Sequence, residues 1–284
     1  GGGGGFDNNP SRQQTRAPKR AQQSQLRAKK GKNEGDFISN LIGKIFPNAL
    51  EDMAPAGLQR MTIEEWPDQW PATTDEWAEP VEGDDEEMAI IRPLLKQTML
   101  ERVPLGLVYD AEVHGWNNAA FHAQLDGMGA ALLVATTSGG AVIGGYNPKG
   151  WLGYGDWRDA ISAFLFTWPD GDKTATVLPQ KLPKTGGSGM AIIDDPGKGP
   201  QWGPDGLKIN VGSRQAMSRL GSYYERRPNG ETTLFGPNDD AKVADITSLK
   251  VYVGLEETAK AKGYAPNALQ WQPGQLEKIR AKDE

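Results

Sequence analysis

The sequence predicts an α+β, mainly β fold: a two-sheet antiparallel β-sandwich with peripheral short helices, behind a disordered basic N-terminal tail. Three observations predict it. The apolar runs are short, four to seven residues, and most are joined by Gly- and Pro-rich turns rather than by long amphipathic helices. Two of them, 131–137 (ALLVATT) and 141–146 (AVIGGY), flank Ser138-Gly139-Gly140 as two strands flank a hairpin turn. Apolar residues make up only 37% of the 284, so they fill a core only if concentrated, and part of the chain is expected to lie outside it.

The chain divides by charge. Residues 1–35 form a basic tail with almost nothing apolar to offset the entropy of ordering; through Asp36 the segment carries eight Lys/Arg against three Asp/Glu. Residues 36–47 read as an amphipathic helix. Asp36 caps it, Pro47 ends it, and Phe37, Ile38, Leu41, Ile42, Ile45 and Phe46 form one apolar stripe. A helix of this length is unstable alone and must dock, on the protein's own domain or on a partner groove or membrane surface.

Residues 48–87 form an acidic linker. Its prolines at 55, 67, 71 and 80 exclude a long helix, and its tryptophans at 66, 70 and 77 are expected to strap it across the domain. The run 82–87 (EGDDEE) lacks the spacing of a calcium loop and reads as a solvated acidic loop.

The ordered domain is expected over 88–257. It opens with 88–99 (MAIIRPLLKQTM), a buried strand or helix broken at Pro93, followed by a strand at 105–109. Asn117 caps a helix over 118–126 that Gly127 stops; Ala119, Phe121, Ala123 and Leu125 form no clean stripe, which predicts burial on two sides. The wholly apolar 164–168 (FLFTW) reads as a central strand, and further short strands are expected at 190–193, 207–211, 232–235 and 249–255. Between Trp168 and Gly206 the density of Gly and Pro predicts a long surface excursion with one strand inside it. Residues 258–284 form a polar, loosely attached tail carrying Trp271.

Composition removes several function classes. There is no cysteine, hence no disulfide, thiolate metal site or thiol nucleophile. Two histidines cannot make a histidine-rich metal site, and no cofactor or metal is expected. No apolar run approaches the roughly 20 residues of a membrane span, and no Asn-x-Ser/Thr site or secretory signal occurs, so a secreted or transmembrane protein is not expected. The chain begins at glycine, the expectation for a processed product. Its arginine-rich, acid-poor tail is similar to the end of a transit peptide, which favours the chloroplast, with the cytoplasm as alternative.

Glu112, His114 and His122 are the candidate acid–base residues, because a carboxylate beside an imidazole raises its basicity; Asp156 and Asp159 are candidate helpers. The bland alternative is that His114 satisfies backbone groups in the turn before Gly115. No G-x-S-x-G elbow is present. The loop 186–189 (GGSG) after Lys184 is a weak anion cradle, lacking the P-loop spacing. Arg219, Arg226 and Arg227, near Tyr223 and Tyr224, are candidates for binding an acidic partner, as are Phe37, Leu41, Ile45 and Phe46 for an apolar one. Residues 12–46 are also the candidate for peripheral membrane contact. Nucleic acid is not favoured, since the tail lacks interleaved aromatics.

The stretch GLVYDAEVHGWNNAAFH, then ALLVATTSGGAVIGGY, GW and AFLFTW, resembles the TLDc family. The residues that carry the likeness are Tyr109, His114-Gly115, Phe121, Gly145-Tyr146, Trp151 and Phe164-Leu165-Phe166, with Trp202-Gly203 and Leu207-Lys208-Ile209 after them. The likeness spans about residues 100–255. It departs from the family where a Cys-x-x-Phe stretch is replaced by RLGSYYERRPNGETTLFG. The long lead-in is most similar to a plant or algal plastid branch. The resemblance implies a two-sheet sandwich, a role in oxidative-stress resistance and, for several members, binding to the V-type ATPase; in a plastid the partner would be a thylakoid or stromal complex. It implies a binding or regulatory protein and carries no catalytic mechanism; the alternative reading is a hydrolase or stress enzyme using Glu112 and His114.

Overall fold

The chain divides at residue 60 into two units, and every element described here belongs to the second, 61–284. The structure, a computed structural model, describes residues 1–2, 62–174 and 177–255. The expectations for the basic tail, for the helix bearing Phe37, Leu41, Ile45 and Phe46, and for the C-terminal tail lie outside the described residues.

The segment before the first helix crosses the domain, but its tryptophans do not all hold it. Trp66 and Trp70 are 39% and 43% exposed, flanking a 3₁₀ turn at Pro67–Gln69. The anchors are the buried Asp68, Ala72 and Ala78, with the half-buried Trp77 packed on the core. Asp68 accepts hydrogen bonds from Tyr146 Oη and Ser162 Oγ, each at 3.0 Å. A buried carboxylate with two hydroxyl donors is a stronger fixture than an indole that can lie on the surface.

The acidic run is exposed at Glu82, Gly83, Asp85 and Glu86, as expected of a solvated loop, but three of its carboxylates also bond to the fold. Asp85 caps α1 (Glu86–Ile91) by accepting from Met88 N at 2.8 Å, and Glu87 meets Lys250 at 2.7 Å. Asp84 pairs with the fully buried Arg92. Burial alone would raise the Asp84 carboxyl, but the hydrogen bonds from Arg92 and the Val81 N–H outweigh it and hold it below the usual carboxylate range. The α-helix ends at Ile91, before Pro93, as expected. Pro93 opens a 3₁₀ helix, Arg92–Leu95, where a missing N–H costs nothing.

Among the described residues eleven strands follow, all paired antiparallel. They are β1 (Leu105–Asp110), β2 (Ala131–Thr137), β3 (Val142–Asn147), β4 (Asp156–Arg158), β5 (Phe164–Trp168), β6 (Gln180–Pro183), β7 (Ile192–Asp194), β8 (Gln201–Trp202), β9 (Leu207–Asn210), β10 (Gln215–Ser218) and β11 (Val243–Gly254). One sheet runs β1-β11-β2-β3-β5-β6 and the other β4-β7-β8-β9-β10-β11. Strand β11 belongs to both. Its start pairs with β10, and after a register shift between Ile246 and Ser248 the rest continues between β1 and β2. The architecture is the expected mainly antiparallel β fold with a few short helices.

The two sheets enclose one core. Leu133, Ile143 and Leu165 from the first sheet cluster with Ile192, Leu207, Ile209 and Ala216 from the second. The other face of the first sheet is also covered: Leu132, Val134, Phe164 and Phe166 pack against Ile91, Leu94, Leu95 and Leu100. Burial on both faces explains why β2, β3 and β5 read as continuous apolar runs.

Three expectations are corrected. Residues 232–235 form no strand; instead Leu234 is fixed by its N–H on Ser218 Oγ and its carbonyl under Thr167 Oγ1. The stretch from Trp168 to Gly206 carries three strands, not one. The expected strand is β7; the two unexpected ones, β6 and β8, have too few positions to show a period of two. The helix α3 (Asn118–Leu125) starts at the Asn117 cap as expected but buries one face only, through Phe121, His122 and Leu125, while Ala119 and Ala123 are exposed.

Candidate functional site

The residues proposed as acid–base groups cluster in sequence around the short helix α2 (Ala111–His114) and around α3. The fold gives each a separate task. Glu112 accepts from Trp116 Nε1 at 2.9 Å, and Arg214 lies over the same indole at 4.6 Å. His114 accepts the Asp110 N–H on Nδ1 at 3.0 Å and stacks on Tyr109 with ring centres 5.9 Å apart. It therefore caps the turn that leads through Gly115, which sits at φ +101°. His122 is buried; its Nδ1 lies 2.8 Å from Asp126 Oδ1 and its Nε2 3.0 Å from the Lys198 carbonyl. Both ring nitrogens thus face oxygen acceptors, which pins α3 to the 195–198 turn. Asp156 is exposed on β4 and accepts its neighbour's N–H, remote in role from the histidines.

Most of the aromatic residues that stood out in the sequence form the core rather than a site. Tyr109, Phe121, Trp151 and Trp202 make a chain of edge-to-face contacts, with ring centres 5.3, 5.0 and 6.0 Å apart in turn. Trp202 closes it by donating to the Tyr146 carbonyl at 2.9 Å. Gly145 is required beside Tyr146, because a Cβ there would lie 2.7 Å from the Trp202 ring.

The arginine cluster divides. Arg227 turns inward, donating to Gln180 Oε1 at 2.8 Å and to the Phe235 carbonyl at 3.1 Å. Tyr224 is fully buried, its hydroxyl on the Ala191 carbonyl at 2.8 Å. Arg219 and Arg226 remain at the surface.

One cavity lies elsewhere, between the 3₁₀ turn at Pro67–Gln69, the end of β3 and the glycine-rich loop. It has a volume of about 200 Å³. Its polar wall is Asp68, Gln69, Lys149, Asp159 and Ser188; Pro148, Ala160 and Ile161 supply the apolar part. The frame is rigid. Ala160 N donates to the Ser188 carbonyl at 2.9 Å, and Arg158 reaches the carbonyls of Lys149 and Gly150 at 3.4 and 3.3 Å. Arg158 is held in turn by the wholly buried Asp194 at 3.2 Å, whose carboxylate also receives the N–H groups of Leu152 and Gly153. Burial, with Arg158 beside it, lowers the Lys149 ammonium to about 8, while Asp159 and Asp68 pull it upward.

Sequence reasoning named Asp159 and the glycine-rich loop but not Lys149 or Asp194. Lys149 sits in an ordinary Asn-Pro-Lys-Gly turn, and only the arrival of Asp68 from 81 positions earlier makes it part of a cavity wall. Among the described residues no group of three or more His, Asp or Glu side chains could hold a metal ion, and no helix is long and apolar enough to cross a membrane.

Comparison with known families finds the TLDc domain at residues 83–192. The matched stretch begins at the turn before α1 and ends in β7, so it takes in the aromatic chain except Trp202. No curated protein matches the chain.

Proposed function

We propose that this TLDc-domain protein is a non-catalytic binding or regulatory module that docks on a larger protein complex. The observation that carries the reading is the separation of Glu112, His114 and His122 into three sets of framework bonds, with no hydrogen bond between any two of them. A carboxylate raises the basicity of an imidazole only when the two are in hydrogen-bond contact, directly or through one water. The surface around α2 offers a contact patch instead. Val113 is 75% exposed, and beside it stands the Glu112–Trp116–Arg214 stack, whose Trp and Arg are residue types enriched at interface centres.

In this reading any protection against oxidative stress is indirect and passes through the partner. A membrane-attached complex is the natural partner class: the V-type ATPase by family likeness, or a thylakoid or stromal complex in a chloroplast. Residues 12–46 would add the peripheral contact, with Arg219 and Arg226 available to acidic surface.

A photo-crosslinking residue at position 113, compared with one at Lys208 on the outward face of β9, tests the reading in an extract of the source cells. The expected result is one set of subunits of a single complex joined at 113 and not at 208. Equal labelling at both positions, or none at 113, would overturn it.

A further inference from the structure

We propose that the cavity between the 3₁₀ turn and the glycine-rich loop binds a small free amino acid, its carboxylate on Lys149 and its ammonium on Asp159. This goes beyond the docking role and does not depend on it.

The two charged ends that face the cavity attract one another, yet no ion pair within 4.0 Å joins them and neither makes a side-chain hydrogen bond among the described residues. Lys149 is half-buried, and a charge taken partly out of water normally finds a partner; Asp159, at the other end, is exposed. Arg158 donates to the Lys149 carbonyl and the Ala160–Ser188 bond fixes the backbone beside Asp159, so the two residues stand on bonded main chain at the cavity wall. Lys149 can only donate and an ionised Asp159 can only accept. The gap is therefore polarised, with a place for an acceptor at one end and for a donor at the other. A ligand bearing one charge satisfies half of it. An α-amino acid carries both groups on one carbon and satisfies the whole.

Size narrows the class. A volume of about 200 Å³ equals roughly six or seven waters at about 30 Å³ each. That suits glycine, alanine or serine better than a nucleotide or a sugar phosphate. Pro148 and Ile161 give a short side chain an apolar wall. Because the Lys149 ammonium is lowered to about 8 by burial and Arg158, against Asp159 and Asp68, a bound carboxylate is held best below that pH.

The test is titration of the full chain, by calorimetry and by amide chemical shifts, with glycine, alanine and serine, and with acetate and methylammonium as single-charge probes. The expected result is saturable binding of at least one amino acid, with acetate and methylammonium at least about tenfold weaker. Shifts should centre on Gly187, Ser188 and Gly189, and affinity should fall as pH rises through about 8. Lys149→Met and Asp159→Asn should each weaken binding at least about tenfold at unchanged melting temperature, and Lys208→Met should leave it alone. Acetate binding as tightly as the amino acids would overturn the proposal, since Asp159 would then play no part. So would the absence of saturation up to about 10 mM, or amide shifts confined to other loops, both of which are read on the unmodified chain.

Discussion

Trp202 donates its indole N–H to the carbonyl of Tyr146 over 2.9 Å, and so ties the second sheet to the first from inside the core. The ring lies over Gly145 and edge-on to Trp151, and is fully buried.

Replacing Trp202 by alanine should therefore cost about 3–5 kcal/mol, the usual range for emptying a large aromatic site in a core. Gly145→Ala attacks the same contact from the other side and should cost about 1–3 kcal/mol by overpacking. Urea denaturation measures both. The two losses should not add, because the residues share one contact.

Asp194 holds Arg158 and the N–H groups of Leu152 and Gly153 together at the back of the cavity. Asp194→Ala leaves a mostly buried guanidinium without its counter-charge. It should cost about 3–5 kcal/mol, read as a lower denaturation midpoint.

Lys181 gives a pH dependence with a definite sign. Its ammonium is buried against the Phe164 ring at 4.3 Å and donates to the Leu94 carbonyl at 2.9 Å. Burial lowers it to about 7, with Glu101 pulling it upward. Between about 7 and the ordinary lysine value of 10.5 the unfolded chain binds more protons than the folded one. The contribution of this group to stability therefore rises with pH across that window, and the cost of burying the charge is fully present below it. Lys181→Met should raise the melting temperature relative to the parent more at pH 6 than at pH 9, in thermal melts followed by circular dichroism.

The two histidines should separate by stability. His114→Ala loses one exposed hydrogen bond and a ring stack, and should cost about 0.5–1.5 kcal/mol. His122→Ala removes the ring contacts to Asp126 and the Lys198 carbonyl and opens a hole beside Phe121, so it should cost more, about 2–4 kcal/mol. Chemical denaturation of the two variants side by side checks the order. A His114→Ala chain more damaged than the His122→Ala chain would count against the assignment.

The parts of this fold that depend on neighbouring residues were legible in the sequence. The hairpin at 131–147, the Asn117 cap and the wholly buried 164–168 strand each follow from local turn chemistry or a continuous apolar run. Of the short strands, β7 and β9 were legible as apolar runs, but β4, β6, β8 and β10 were not, because they are made by pairing with β7, β5, β9 and β11 and not by their own pattern. The acidic run was legible in its exposure but not in its bonds, for a related reason. Its composition suits a solvated loop, yet Arg92 and Lys250 wait for it in the folded domain.

The site divides along the same line. By itself the sequence determined the fold class, the lack of thiol chemistry and the aromatic residues that define the core, since these rest on composition and short-range spacing. Only the tertiary structure decided that Glu112, His114 and His122 serve the framework, and that Lys149 and Asp159 face one cavity closed by Asp68. Hydrogen bonds and charge contacts act over a few ångströms in space, so which carboxylate meets which cation depends on the packing of segments far apart along the chain.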